Sequence, residues 1–218
     1  MASAGAVVLR AMGEAAEPWR AKPASRWTKK DLWRIVEDSP WALRVSASRP
    51  GMPEFPSPGG PDATSRPGPR GQEGGLSMPP PPPVFTFLVR WESAAPVREA
   101  LARLGDTKPA EGQDGRYVIS VITVVPRREG GERMQPAGPA LERILRLTSL
   151  RRSDHPDLHP VAAVTPTSGP GLLTYYFEAA DAITSGEASV EFATEAAPAR
   201  IRCKFRLKDM MFQGRLAL

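Results

Sequence analysis

Residues 200–207 constrain the fold of this chain most strongly, because cationic and apolar residues alternate there without exception. The cations are Arg200, Arg202, Lys204 and Arg206, and the apolar residues between them are Ile201, Cys203, Phe205 and Leu207. A period of two places the two sets on opposite faces of a β-strand. A half-buried strand needs a sheet and a core behind it, so the sequence predicts a β-sheet protein here.

Proline and glycine divide the chain into parts. Residues 49–83 contain twelve prolines and seven glycines, a composition that a packed core does not tolerate. We therefore predict four regions: a disordered tail (1–25), a short tryptophan-rich helical segment (26–45), a Pro/Gly-rich linker (49–83) and a β-rich globular domain (84–218). The five prolines 79–83 favour an extended polyproline II rod, either a stiff spacer or a ligand for a proline-binding module.

Two helices carry start and stop signals. Thr28 with Asp31 three residues later forms a capping box at the start of the first helix, which Pro40 helps to end. Pro96 suits the first turn of the second helix, and Gly105 ends it. Residues 140–147 are predicted to be a further short helix, followed by an extended edge.

Seven strands are predicted from runs of apolar and β-branched residues: 84–92, 117–125, 161–164, 172–177, 188–192, 200–207 and 212–216. The run 117–125 is apolar on both faces, which is typical of a central strand covered on each side. Because the strands mostly follow one another, the predicted fold class is α+β. It is a mainly antiparallel β-sheet or sandwich-like domain with one or two helices, preceded by a disordered Pro/Gly-rich region.

The tryptophan-rich segment is the first candidate for a contact surface. Trp27, Leu32, Trp33 and Trp41 are large apolar residues on or beside a helix that is marginal alone. They need a surface to cover them. The segment is either a latch that docks on the downstream domain or a contact for a partner protein.

The second candidate surface is the cationic strand, made of Arg200, Arg202, Lys204 and Arg206. Such side chains repeat about every 6.6 Å along one strand face and could meet an acidic partner or a phosphate backbone. The alternative is a solvated outer face that Glu191 neutralises from the neighbouring strand. The net charge of +5 is not concentrated enough to indicate a nucleic-acid binder by itself.

Residues that could carry out chemistry are few. His155 and His159 lie among aspartates, but Pro156 and Pro160 keep that segment extended, so we predict a polar surface loop and no metal. Cys203 alternates with core residues, which predicts an inert buried thiol. No nucleophile elbow, phosphate loop, zinc-protease or dinucleotide motif is present. The sequence therefore predicts no catalytic residues, no cofactor and no enzyme activity.

Export and membrane signals are equally sparse. The single cysteine excludes an intramolecular disulfide and leaves the redox compartment undefined. No run approaches the roughly 18 apolar residues of a membrane span. The first nine residues contain a short apolar piece without a preceding Lys or Arg, which is a poor signal peptide.

Three stretches together resemble a family of uncharacterised bacterial proteins that are usually exported. They are a W-T-x-x-D helix at 27–31 followed by D-S-P-W-A at 38–42, the segment V-R-W-E-S-A at 89–94, and K-F-R-L-K-D-M at 204–210. The resemblance implies no activity and no catalytic residues. It implies export, although the missing signal peptide departs from the family pattern.

These observations predict a non-enzymatic, exported or envelope-associated module that interacts with another protein. The alternative is a cytoplasmic nucleic-acid-binding module that uses the cationic strand. The expected location is extracytoplasmic if translation starts upstream of Met1, and cytoplasmic otherwise.

Overall fold

The computed structural model describes residues 17–47, 85–106, 115–124, 138–165, 171–195 and 200–218. Its helices in these ranges are α1 (Pro18–Ala21), α2 (Lys29–Glu37), α3 (Ala95–Arg103) and α4 (Gly138–Arg146), with short 3₁₀ turns at Ala24–Arg26 and Leu207–Asp209. Its strands are β1 (Ala42–Ala47), β2 (Phe85–Trp91), β3 (Arg116–Thr123), β4 (Ser149–Arg152), β5 (Pro160–Val164), β6 (Gly171–Glu178), β7 (Ser189–Thr194), β8 (Ile201–Arg206), β9 (Met211–Phe212) and β10 (Arg215–Leu216). All paired strands are antiparallel, so the predicted α+β class is confirmed.

A five-stranded sheet with the order β1-β2-β3-β6-β5 forms one layer. The predicted central strand is confirmed: β3 lies in the middle, and its Val118 and Ile119 are both fully buried although they point to opposite faces. β1 and β2 pair as a hairpin in which Ala47 lies opposite Phe85. The chain on both sides of the Pro/Gly-rich segment therefore contributes to one sheet.

A three-stranded sheet with the order β4-β7-β8 forms the second layer. Burial along β8 alternates as predicted: Ile201, Cys203 and Phe205 are buried, and the cations between them are exposed. The free edge of β4 is closed by two backbone hydrogen bonds between Leu150 and Leu158, of 2.8 and 3.0 Å. This closure protects the edge from pairing with another strand.

The main core lies between the two sheets. The rings of Trp91 and Phe205 meet edge to face at 5.3 Å, and those of Tyr175 and Phe192 at 5.6 Å. Such aromatic pairs contribute about 0.5–1.5 kcal/mol each beyond the area they bury. The Tyr175 hydroxyl lies 3.1 Å from the Thr194 hydroxyl, so the polar ring end is also satisfied across the layers.

α2 starts where the capping box predicts. The Thr28 side chain accepts a hydrogen bond from the Asp31 amide at 3.3 Å, and the Thr28 amide donates to the Asp31 carboxylate at 2.7 Å. A lysine, Lys22, lies 2.7 Å from the same carboxylate. Together these hydrogen bonds hold the pKa of Asp31 at about 2, with the Lys22 contact as the largest cause. α2 packs against α3, and its Leu32, Ile35 and Val36 are buried.

The N-terminal part is more ordered than we predicted between residues 17 and 25. α1 forms there because Trp19, only 5% exposed, packs edge to face on Trp41 with 5.7 Å between ring centroids. Arg103 of α3 also donates hydrogen bonds to the carbonyls of Ala24 and Trp27. One tryptophan without further periodic apolar residues does not predict a helix from the sequence. Residues 1–16 lie outside the described ranges.

Two other segments differ from expectation. Residues 42–47, at the end of the predicted helical segment, form strand β1, since Leu43 and Val45 alternate with Arg44 and Ser46. The single strand predicted at 212–216 is a two-stranded hairpin instead. It turns at Gln213 and Gly214, which both have positive φ (51° and 75°), as tight hairpins require. The predicted linker 49–83 lies outside the described residues.

Candidate interaction surface

The outer face of the three-stranded sheet carries the cationic strand. Its side chains point away from the core because the apolar residues of β8 occupy the inner positions. Strand pairing and the end of α4 bring two more arginines, Arg151 and Arg146, to the same face. We call this surface the cationic face; its members are Arg146, Arg151, Arg200, Arg202, Lys204 and Arg206.

The cations of this face differ in their partners. Arg200 lies 2.9 Å from Glu195, and both side chains are substantially exposed. Within the described ranges, Arg202, Lys204 and Arg206 form no ion pair and no side-chain hydrogen bond. Three successive outward positions of one strand therefore present free positive charge.

Glu191 neutralises the face less than the sequence suggested. It lies directly opposite Lys204 in the strand register, as the predicted hairpin requires. Its ion pair, however, is with Arg151 on the other side, at 3.6 Å, and Arg151 is also 3.9 Å from Asp157. Exposed pairs of this length contribute little energy, about 0–1 kcal/mol. In the described ranges, the carboxylates that pair with cations of this face are Asp157, Glu191 and Glu195, and they pair only with Arg151 and Arg200.

Two recesses open on this region. The first, which we call the Arg202 recess, has a volume of about 210 Å³ and is lined by Arg146, Ser149, Arg151, His159, Arg200 and Arg202 together with Asp157 and Glu195. The second, the Trp19 recess, has about 350 Å³ and is lined by Trp19, Arg34, Lys204 and Arg206 with three carboxylates. The cationic strand therefore divides between two concave sites, one mainly positive and one of mixed charge.

The tryptophan-rich segment is part of the core rather than a separate surface. Trp27, Leu32 and Trp41 are 3%, 5% and 0% exposed. The Trp27 ring packs on Phe212 at 5.8 Å, and the Trp41 indole donates a 2.7 Å hydrogen bond to the carbonyl of Ala217. These contacts agree with the latch alternative. Trp33 lies on the opposite side of α2 and is 48% exposed.

The histidine loop has structural contacts. His159 Nδ1 lies 3.0 Å from the Thr148 carbonyl, and His155 Nδ1 lies 3.5 Å from the Asp181 carboxylate. Among the residues that the structure describes, no three His, Cys, Asp or Glu side chains gather closely enough to hold a metal ion. Cys203 is buried, and this burial raises the pKa of its thiol to about 12. A thiol with that pKa is protonated at neutral pH and is a poor nucleophile.

Sequence reasoning missed the most strongly bonded ionic group, which centres on Arg152. The Arg152 side chain is completely buried, and its guanidinium donates two hydrogen bonds of 2.8 Å to Glu187 and one of 2.6 Å to Asp181. The bond from Arg152 is the main cause that lowers the pKa of Glu187. Nothing in the sequence distinguishes Arg152 from the exposed Arg151 beside it. This group anchors the 179–188 loop and does not reach the cationic face.

Together, the fold and this surface define a class of protein: an α+β sandwich-like protein with a cationic outer sheet face. Comparison of the chain with family models, with curated proteins and with solved structures finds no match. Function must therefore be argued from the surface itself. None of the helices in the part of the chain described above has the length and apolar character to cross a lipid bilayer.

Proposed function

We propose that this protein is a non-enzymatic interaction module that binds an acidic protein partner through its cationic face. The observation that carries this proposal is the row formed by Arg202, Lys204 and Arg206. The three side chains are exposed and lack partners in the described ranges. They occupy successive outward positions of one strand, so acidic groups spaced along a partner can meet them together.

The state of the reactive side chains supports a binding role over catalysis. The Cys203 thiol is buried and its pKa is raised to about 12. The Arg152 guanidinium is occupied by Glu187 and Asp181 inside the protein. His159 is held by a backbone carbonyl on the surface. Among the described residues, no hydrogen bond joins His159 to a side-chain nucleophile such as the Ser149 hydroxyl in the same recess, an arrangement that covalent catalysis with a general base needs.

The pattern of the face favours a protein partner over nucleic acid. Three carboxylates, those of Asp157, Glu191 and Glu195, lie between the cations and would repel an evenly spaced phosphate backbone. An acidic protein can place its carboxylates next to the free cations and its neutral groups next to Glu191. Nucleic acid binding is the competing outcome that the experiment below distinguishes.

We further propose that the protein acts outside the cytoplasm. Support for this location comes from the resemblance to usually exported proteins at residues 27–31, 38–42 and 204–210. Fractionation of the native host cells, with N-terminal sequencing of the protein, measures it directly. A processed extracytoplasmic form is expected, and an intact Met1 in the cytoplasm would reject the proposal.

The binding proposal is tested by removing the three free cations together in an R202S/K204S/R206S variant. The probe is a polyglutamate peptide, titrated by calorimetry at fixed ionic strength. Each exposed pair contributes about 0.5 kcal/mol, so the variant is expected to bind about tenfold more weakly. The matched control is R26S/K29S/K30S, which removes the same charge from exposed positions around the start of α2.

Unchanged polyglutamate affinity in the control supports a specific role for the cationic face. An equal loss in both variants would attribute binding to net charge alone and reject the proposed surface. The same titration with duplex DNA tests the competing function: tighter binding to DNA than to polyglutamate at equal salt would replace the proposal with a nucleic-acid module.

A further inference from the structure

We infer that the Arg202 recess binds a phosphate-monoester group carried by the acidic partner. This inference rests on the proposed function, since the recess is one end of the cationic face. It adds the chemical class of the group that the face recognises. Four arginines line the recess against two carboxylates, Asp157 and Glu195.

The two carboxylates do not occupy all four arginines. Glu195 pairs with Arg200 at 2.9 Å, and Asp157 lies 3.9 Å from Arg151. In the ranges that the structure describes, Arg146 and Arg202 are left without a partner. Two unpaired guanidinium groups beside one concavity match a doubly charged oxyanion, because each planar fork can donate two parallel hydrogen bonds to phosphate oxygens.

One neutral donor, the Ser149 hydroxyl, is available in the same recess. Ser149 lines it with only 7% of its surface exposed, and its hydroxyl bonds to no other described residue. His159 is oriented by the 3.0 Å contact of its Nδ1 with the Thr148 carbonyl. That contact places the hydrogen of the neutral ring on Nδ1, since a carbonyl oxygen can only accept, so Nε2 of that ring is an acceptor and not a donor. The ring is thereby fixed at the rim of the recess rather than free to rotate.

The volume of the recess limits the size of the anionic group that it can hold. Its volume of about 210 Å³ lies below the range of about 300–1,000 Å³ that is typical of sites for drug-sized ligands. At roughly 30 Å³ per water molecule it holds about seven waters, which is room for one phosphate with part of its hydration shell. The volume therefore admits one phosphate group, whose carrier remains outside the recess.

Inorganic phosphate is the probe for the test, titrated by calorimetry at constant ionic strength with chloride as the replaced anion. The test variant is R146S/R202S. The matched control is K29S/K30S, which removes two charges from exposed positions at the start of α2, away from the cationic face. We expect at least a tenfold loss of phosphate affinity in the first variant and less than a twofold change in the second. Thermal unfolding of both variants confirms that each is folded.

Four outcomes separate this inference from the proposed function. Selective loss of phosphate binding in R146S/R202S supports the recess. An equal loss of phosphate affinity in both variants overturns the inference. Wild-type protein that binds polyglutamate but not phosphate also overturns the inference, while the proposed function stands. Wild-type protein that binds phosphate but not polyglutamate leaves the recess as an anion site and rejects the proposed function.

A phosphoserine-containing acidic peptide should bind at least tenfold tighter than its serine counterpart, and equal affinities overturn the inference.

Discussion

Replacement of Arg152 by methionine should destabilise the protein strongly, because it removes one partner of a buried ion pair. The Arg152 side chain is 0% exposed and that of Glu187 is 10% exposed, so the variant leaves a nearly buried carboxylate without its two hydrogen bonds. Losing one partner of such a pair costs about 3–5 kcal/mol. Asp181 is half exposed and adds little to the cost. We therefore expect a loss of about 3 kcal/mol in the free energy of unfolding.

Urea unfolding at pH 7, followed by tryptophan fluorescence and circular dichroism together, measures this loss. The control is R152M/E187Q, which removes both charges. Because glutamine carries no charge, the double variant leaves no unpaired buried carboxylate and should recover about 2 kcal/mol of the loss. A single-variant loss below 1 kcal/mol, or a double variant no more stable than R152M, would refute the view that the unpaired carboxylate is the cost.

The same pair predicts a pH dependence. The pKa of Glu187 is lowered in the folded protein, chiefly by its hydrogen bond from Arg152. Its contribution is therefore fully present above the unfolded glutamate pKa, about 4.3, and is lost as the pH falls through the lowered folded value. The stability difference between wild type and R152M should shrink as the pH falls from 7 to below 4. A difference that stays constant over that range would contradict the assignment.

Three further predictions concern other parts of the fold. T28A should lower the free energy of unfolding by about 1 kcal/mol in urea titrations through loss of the helix cap. The pKa of Asp31, about 2 in the wild type, should rise only slightly when followed by NMR, because the Lys22 contact and the backbone amide of residue 28 remain. Cys203 should not react with Ellman's reagent in the native state, because burial raises the pKa of its thiol to about 12. It should react with one equivalent of the reagent in urea. Rapid labelling of the native protein would show that solvent reaches the core. Replacing residues 48–84 by Asn-Gly should raise the free energy of unfolding by roughly 2 kcal/mol, since Ala47 and Phe85 already pair and a shorter loop costs less entropy to close. A fall in stability would instead show that the replaced segment contacts the sheet.

The sequence predicted those elements whose signal is local. The alternation of β8 and the capping box at Thr28 each occupy fewer than ten residues, and the structure has both where the pattern put them. β1 was missed because its partner β2 follows only after the long Pro/Gly-rich segment, so no hairpin signal joins the two strands. α1 was missed because its stability comes from the distant Trp41 and not from its own residues.

On the candidate surface, too, the sequence predicted only the residues that belong to a local pattern. The cations of β8 could be identified from their period of two. Arg151 and Arg146 could not be added, since the pairing of β4 with β7 brings Arg151 to this face and the end of α4 brings Arg146 there. The burial of Arg152 depends on Asp181 and Glu187, about 30 residues further along the chain, and no local pattern encodes such a distance.

The hydrogen bond from the Trp41 indole to the Ala217 carbonyl joins residues that are 176 positions apart. On the ribosome, the first tryptophans are made long before the residue that satisfies Trp41. During synthesis the indole N–H of Trp41 therefore has no acceptor until Ala217 has been made, and the packing around Trp19 and Trp41 closes only after that. A change at Ala217 would consequently act on residues made 176 positions earlier.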